Sequence, residues 1–156
     1  MEATHEAFMA IALEEARAAA QAGDVPVGAV IVRDGQVIAR GRNLREVEKN
    51  ALCHAETVAI PRACQALGGW RLPGCSLYVT LEPCPMCAGA IINARVEQVI
   101  FGASDPKAGC CGSVVDLFSL PFNHHPQVIG GILHQECAGL LKDFFAQRRR
   151  PKKDNR

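Results

Sequence analysis

Apolar positions along the chain alternate between stretches with helical spacing and shorter continuous runs. Residues 4–22 read as a helix. Thr4 is placed to cap it, Phe8, Ile11 and Ala12 recur on one face, and Gly23 ends the run. Val27 to Val32 is a compact apolar run of the kind found in buried strands. Asp34-Gly35 behind it is a hairpin signal, and Val37 to Gly41 reads as the returning strand. A second helix is expected from about His54 to Leu67, with a kink or an early end at Pro61, where a backbone donor is missing. Leu77 to Leu81 is a third strand. Pro83 and Pro85 open a helix that reaches about Ala94, and Val96 to Phe101 is a fourth strand. Val128 to Ile129 forms a short fifth. The last helix runs from Glu136 to Arg148, with Cys137, Leu140, Leu141, Phe144 and Phe145 as its core face. A hairpin followed by helix–strand–helix–strand is the order of a layered α/β domain with a mixed sheet.

Length adds that 156 residues make one domain with its own core, residues 1–147, followed by a basic tail at 148–156. That tail holds six basic side chains and one acidic, so the rest of a chain of net charge +1 is slightly negative. A basic tail on a mildly acidic body points to an anionic partner. No apolar run approaches the roughly 20 residues of a membrane helix, and the acidic N-terminal stretch does not resemble a signal peptide. A cytoplasmic setting with no membrane partner is expected. Eight cysteines in a chain of this size then read as reduced thiols, not as a disulfide framework.

Candidate chemistry concentrates in two short segments, His54-Ala55-Glu56 and Pro83-Cys84-Pro85-Met86-Cys87. Cysteines at i and i+3 in one helical turn point the same way, so a single metal reaches both sulfurs. A helix N-terminus favours the thiolate that a metal needs. One histidine with two cysteines makes three ligands, and zinc with three protein ligands keeps a fourth position for water. Glu56, in the first turn after His54, is placed to lean over that position as general base and then general acid. The alternative is a closed structural site in which Cys53, Cys110 or Cys111 supplies a fourth ligand. If His54 begins a helix as Cys84 does, two helix starts face each other across the metal, each following the end of a strand.

The wider pattern resembles the cytidine-deaminase-like zinc deaminases, and within them the branch that acts on tRNA adenosine. The likeness spans about residues 4–150. It rests on Val25-Pro26-Val27-Gly28-Ala29, Asn43, His54-Ala55-Glu56, Tyr78 through Ala90, Phe101-Gly102-Ala103, Asp105 with Lys107, Gly112-Ser113, Asn123-His124, and Glu136-Cys137 leading to Phe144-Phe145. The deaminase signature of H-x-E followed by P-C-x-x-C is a known mark of the class. The resemblance implies a three-layer α/β/α fold with a five-stranded mixed sheet, and a homodimer. It implies one Zn2+ per chain on His54, Cys84 and Cys87, with Glu56 as proton shuttle. It also implies that Asn43, Val27 and Ala55 meet the target base and that Asp105, Lys107, Asn123 and His124 meet RNA. The implied reaction is hydrolytic deamination of the wobble adenosine in a tRNA anticodon loop to inosine, with release of ammonia.

Two other readings share this inventory. A deaminase of a free base or nucleoside, such as guanine, cytosine or cytidine, uses the same metal and glutamate in a closed pocket. A non-catalytic zinc module for RNA binding would hold the metal without turnover. The basic C-terminal segment favours a phosphate-bearing substrate. His124-His125 reads as a surface loop rather than as metal ligands, and Phe144-Phe145 as core packing rather than as a stacking platform for RNA.

Overall fold

The computed structural model describes residues 4–149. Ten elements follow in chain order: α1 (His5–Gln21), β1 (Gly28–Arg33), β2 (Gln36–Arg42), α2 (Ala55–Leu67), β3 (Cys75–Leu81), α3 (Pro85–Ala94), β4 (Gln98–Ala103), a 3-10 turn (Leu117–Ser119), β5 (Gln127–Ile129) and α4 (His134–Arg149). The strands form one sheet in the order β2-β1-β3-β4-β5. β1 lies antiparallel to both β2 and β3, while β3, β4 and β5 run parallel, so the sheet is mixed.

Side-chain alternation along the strands fills two separate cores. Ala29, Ile31, Leu77, Val79, Val99 and Phe101 face α2 and α3. Val30, Val32, Tyr78 and Ile100 face α1 and α4. Three layers result, helices on either side of one sheet, as the sequence pattern requires. Two glycines make the layers close. A Cβ on Gly28 would lie 2.0 Å from the Ala12 carbonyl of α1, and one on Gly41 would lie 2.4 Å from the Ala55 carbonyl of α2.

Local signals explain most boundaries. The Thr4 hydroxyl accepts the Ala7 N–H and starts α1. Asp34 and Gly35 both have positive φ, 52° and 75°, the geometry of the tight hairpin turn that joins β1 to β2. Pro61 does not end α2. The helix runs on to Leu67 and closes on Gly68 in the left-handed conformation. Pro61 sits on the exposed side, while Ala55, Ala59, Ile60 and Ala63 pack the other face and hold the helix through the missing hydrogen bond.

The core face expected for α4 is narrower than its sequence implies. Among its side chains only Cys137 is fully buried; Phe144 is half-buried and Phe145 is exposed. The helix also continues through Arg148 and Arg149, so these two belong to α4. The rest of the expected basic tail, 150–156, lies outside the described residues.

Candidate active site

β3 delivers the chain to the site. It ends at Leu81, and Glu82 and Pro83 lead into Cys84, which caps α3 with Pro85 as the first helical residue. Cys84 and Cys87 therefore share the first turn. His54 caps α2 in the same way, and its backbone N–H donates to the Thr57 hydroxyl oxygen at 3.0 Å. The strand before α2 does not end beside it, contrary to the simplest reading of the sequence. A loop from Asn43 to His54 separates them, pinned at Leu44 and Cys53 by a backbone hydrogen bond of 3.0 Å.

The two helix starts meet. His54 Nδ1 lies 3.5 Å from Cys84 Sγ and 3.6 Å from Cys87 Sγ. All three donor atoms lie within 4.8 Å of one another, so one cation could contact all three. Among the described residues no fourth side chain joins this group. Cys110 instead aims its thiol at the Ala108 carbonyl, and Cys111 offers its backbone N–H to Glu82. The geometry thus has the open arrangement of a catalytic metal site and not the closed one of a structural site.

Electrostatics support that view. Hydrogen bonding from the Cys87 thiol, reinforced by His54, brings the Cys84 thiol down to about 4 against the opposing effect of burial. The same hydrogen bond, together with burial, drives Cys87 strongly upward. Two sulfurs this close oppose a second negative charge, so a divalent ion is what would let both be thiolates. The contact with Cys84 also raises His54.

Glu56 is 4 % exposed and follows His54 by two residues. Burial pushes its carboxyl up to about 7, with the nearby Cys84 charge adding to the effect. A carboxyl poised near neutrality can both take and give a proton at working pH, which is what acid–base catalysis needs.

A cavity of about 280 Å³ opens over this group, just under the usual range for ligand sites. It lies beyond the C-terminal ends of β3 and β4, where α/β sheets place ligands. Val27, Asn43, Ala55 and Asp105, expected to meet substrate, all line it together with His54, Glu56 and Cys84. The Asn43 side-chain oxygen accepts the Arg45 N–H at 3.0 Å, and Asn43 itself is buried.

Lys107, Asn123 and His124 do not line the cavity. Lys107 is exposed on the same loop as Asp105, to whose carboxylate its backbone N–H donates at 3.0 Å. Asn123 is exposed. The His124 ring donates to the Val96 carbonyl at 2.6 Å, ahead of the start of β4, whereas the cavity opens past its far end. The structure adds lining residues to which sequence reasoning gave no role there: Val25, Arg45, Leu81, Glu82, Ala108 and Phe145.

Fold and site together place the chain among the cytidine-deaminase-like deaminases. It belongs to the MafB19-like deaminase family, whose model matches residues 3–149. It is 52% identical over 149 residues to a protein of Bacillus subtilis named tRNA-specific adenosine deaminase, covering 95% of this chain and 92% of that one. A solved structure from a study of A-to-I editing by tRNA:A34 deaminases at the wobble position of transfer RNA superposes with a TM-score of 0.83. That structure is 50% identical, over 86% of this chain and 98% of its own. A guanine deaminase structure from Bacillus subtilis gives a TM-score of 0.64 at 34% identity, over 98% of this chain and 99% of its own.

Proposed function

We propose that the chain deaminates the wobble adenosine of a tRNA anticodon loop, with water entering at C6 and ammonia leaving, so that inosine remains. The observation that carries this reading is the buried Glu56 carboxyl, poised at about 7 and lining the same cavity as His54 and Cys84. His54, Cys84 and Cys87 would hold one zinc ion, which fits their donor set and spacing. When bound there, zinc supplies a Lewis acid that makes its water acidic near neutral pH.

The protein's own groups do the rest. Glu56 takes a proton from the attacking water and delivers it to a ring nitrogen of adenine. It then takes the proton of the hydroxyl now on C6 and gives it to the amino group, which departs as ammonia and leaves the C6 carbonyl of inosine. Asn43 and Ala55 orient the base, and Val27 supplies an apolar wall. A base held in a stack cannot present C6 to such a cavity, so an unpaired loop nucleotide is the fitting substrate.

The tRNA reading is supported over a free-base reading by the higher identity to relatives named for tRNA adenosine. Arg45 and Phe145, both exposed at the cavity wall, offer a charge for phosphate and a face for stacking that a lone base does not require. Residues 1–147 would form the catalytic domain, with 148–156 adding positive charge for the RNA backbone and Lys107 meeting phosphate beside the cavity. A homodimer is supported by Val114, Val115, Leu120 and Phe122, exposed apolar side chains within one short segment. No described helix is long and apolar enough to cross a membrane.

The test is a parallel assay of an anticodon stem-loop with an unpaired wobble adenosine against free guanine, cytosine and cytidine. Inosine formed in the stem-loop, with no ammonia from the others, is the expected result. Turnover of a free base and none of the stem-loop would contradict it.

A further inference from the structure

Four hydrogen bonds converge on one buried carboxylate two residues before Cys84. Glu82 is 2 % exposed. Its Oε1 accepts the Asp105 N–H at 3.0 Å and the Ser113 hydroxyl at 2.5 Å. Its Oε2 accepts the N–H groups of Cys111 at 2.8 Å and Ser113 at 3.1 Å. Every donor belongs to one loop, 105–113, which lies more than twenty residues further along the chain. A glutamate buried merely to fill space could be satisfied by donors from anywhere; these come from one segment and leave it little freedom.

The backbone repeats the tie on either side. Glu82 N–H donates to the Ala103 carbonyl at 2.9 Å, and Cys110 N–H to the Pro83 carbonyl at 2.9 Å. The loop also wraps the carboxylate closely. A Cβ on Gly109 would lie 2.3 Å from Glu82 Cδ, so only glycine fits there. The outer side of this loop presents Asp105 and Ala108 to the cavity. One side chain thus joins the turn that carries a candidate metal ligand to the wall that faces substrate.

We infer that Glu82 is a positioning residue for substrate: it fixes loop 105–113 against the Cys84 turn, and so sets how tightly the target nucleotide is held. The inference rests on the reading that this cavity receives the target base. Both of its carboxylate oxygens are taken by donors of the loop, so the group acts through the loop. Its loss is therefore felt in binding more than in the chemical step.

The experiment compares the zinc-loaded full chain with Glu82→Gln and Ser113→Ala. Glutamine keeps the size but turns an amide N–H2 toward backbone donors, leaving at least one of them without an acceptor. Amide hydrogen exchange, zinc per chain, and KM and kcat on the anticodon stem-loop are measured for each. In Glu82→Gln, exchange at Asp105, Cys111 and Ser113 accelerates and KM rises at least about tenfold, while kcat stays within about threefold and zinc is unchanged. Ser113→Ala moves the same quantities less, and decides the matter alone if the glutamine variant does not fold. Unchanged exchange and KM, or a loss confined to kcat or zinc content, would overturn the inference. A wild-type chain inactive on the stem-loop would instead sink the functional reading, and the exchange rates would still decide whether Glu82 fixes the loop.

Discussion

The backbone N–H of Asn43 donates to the carbonyl of Val27 at 3.0 Å. This bond ties the residue that leaves β2 to the residue that enters β1, and both line the cavity. Asn43 is thus held by its backbone while its side-chain oxygen caps Arg45. Asn43→Ala should keep the fold, because the backbone bond remains. It should lower kcat/KM on the stem-loop by about tenfold to a hundredfold, the scale of a lost polar contact in a buried site. Steady-state kinetics with circular dichroism of the same sample checks both halves.

Asp24 governs the next stretch of the same wall. It is fully buried, and its two oxygens accept the N–H groups of Glu46 at 2.7 Å and Val47 at 3.1 Å. Asp24→Ala leaves both donors without their acceptor and should cost about 1–3 kcal/mol of stability. Glu48→Ala, at an exposed position of the same loop, should change stability by under about 0.5 kcal/mol. Urea denaturation of the two variants separates a specific tie from general loop tolerance.

Alkaline pH should weaken the fold through Cys137. Burial against the sheet raises its thiol from 9 to about 12. The folded pKa is raised, so the contribution is fully present below pH 9 and is lost as pH climbs from 9 toward 12, where the unfolded chain ionises first. Stability should therefore fall more steeply above pH 9 in the wild type than in Cys137→Ala, whose titration at this site is gone. Denaturation midpoints at pH 8 and at pH about 10.5 give the comparison.

Metal removal tests how His54, Cys84 and Cys87 hold their protons when no cation is bound. Chelation should abolish turnover and lower Tm, and zinc should restore both. Rebinding near neutral pH should release at least one proton, from Cys87 and from His54, both of which hold their protons more tightly in the metal-free site. Calorimetry in buffers of different ionisation enthalpy counts the protons. Cys87→Ser should both weaken zinc and reduce the release.

The cysteine pair of the candidate metal site was legible in the sequence because its geometry is local, whereas His54 lies 30 residues away and only its pairing with Glu56 marked it. Cys84 and Cys87 are one helical turn apart, and Pro85 marks where that turn begins. The hairpin at Asp34-Gly35 was legible for the same reason. The early end allowed for at Pro61 does not occur, since propensity there yields to the packing of Ala59 and Ala63. The placement of Phe145 was hidden because helical spacing does not tell a core face from a cavity wall. Glu82 falls within the Tyr78–Ala90 pattern but its role was not legible: its partners lie 23 to 31 residues downstream, and only the folded loop brings their donors together. Asn123 and His124 match a pattern, yet they lie on the segment that leads into β5, and His124 is tied to Val96, ahead of β4, at the end of that strand remote from the cavity.

Inosine formation by Glu56→Gln, measured in single turnover on the stem-loop with zinc counted in the same sample, tests the central claim most directly. The variant should keep one zinc per chain and lose about 10²–10⁴-fold in rate, the range of general acid–base catalysis. A zinc-loaded Glu56→Gln chain that forms inosine at nearly the wild-type rate would contradict the account.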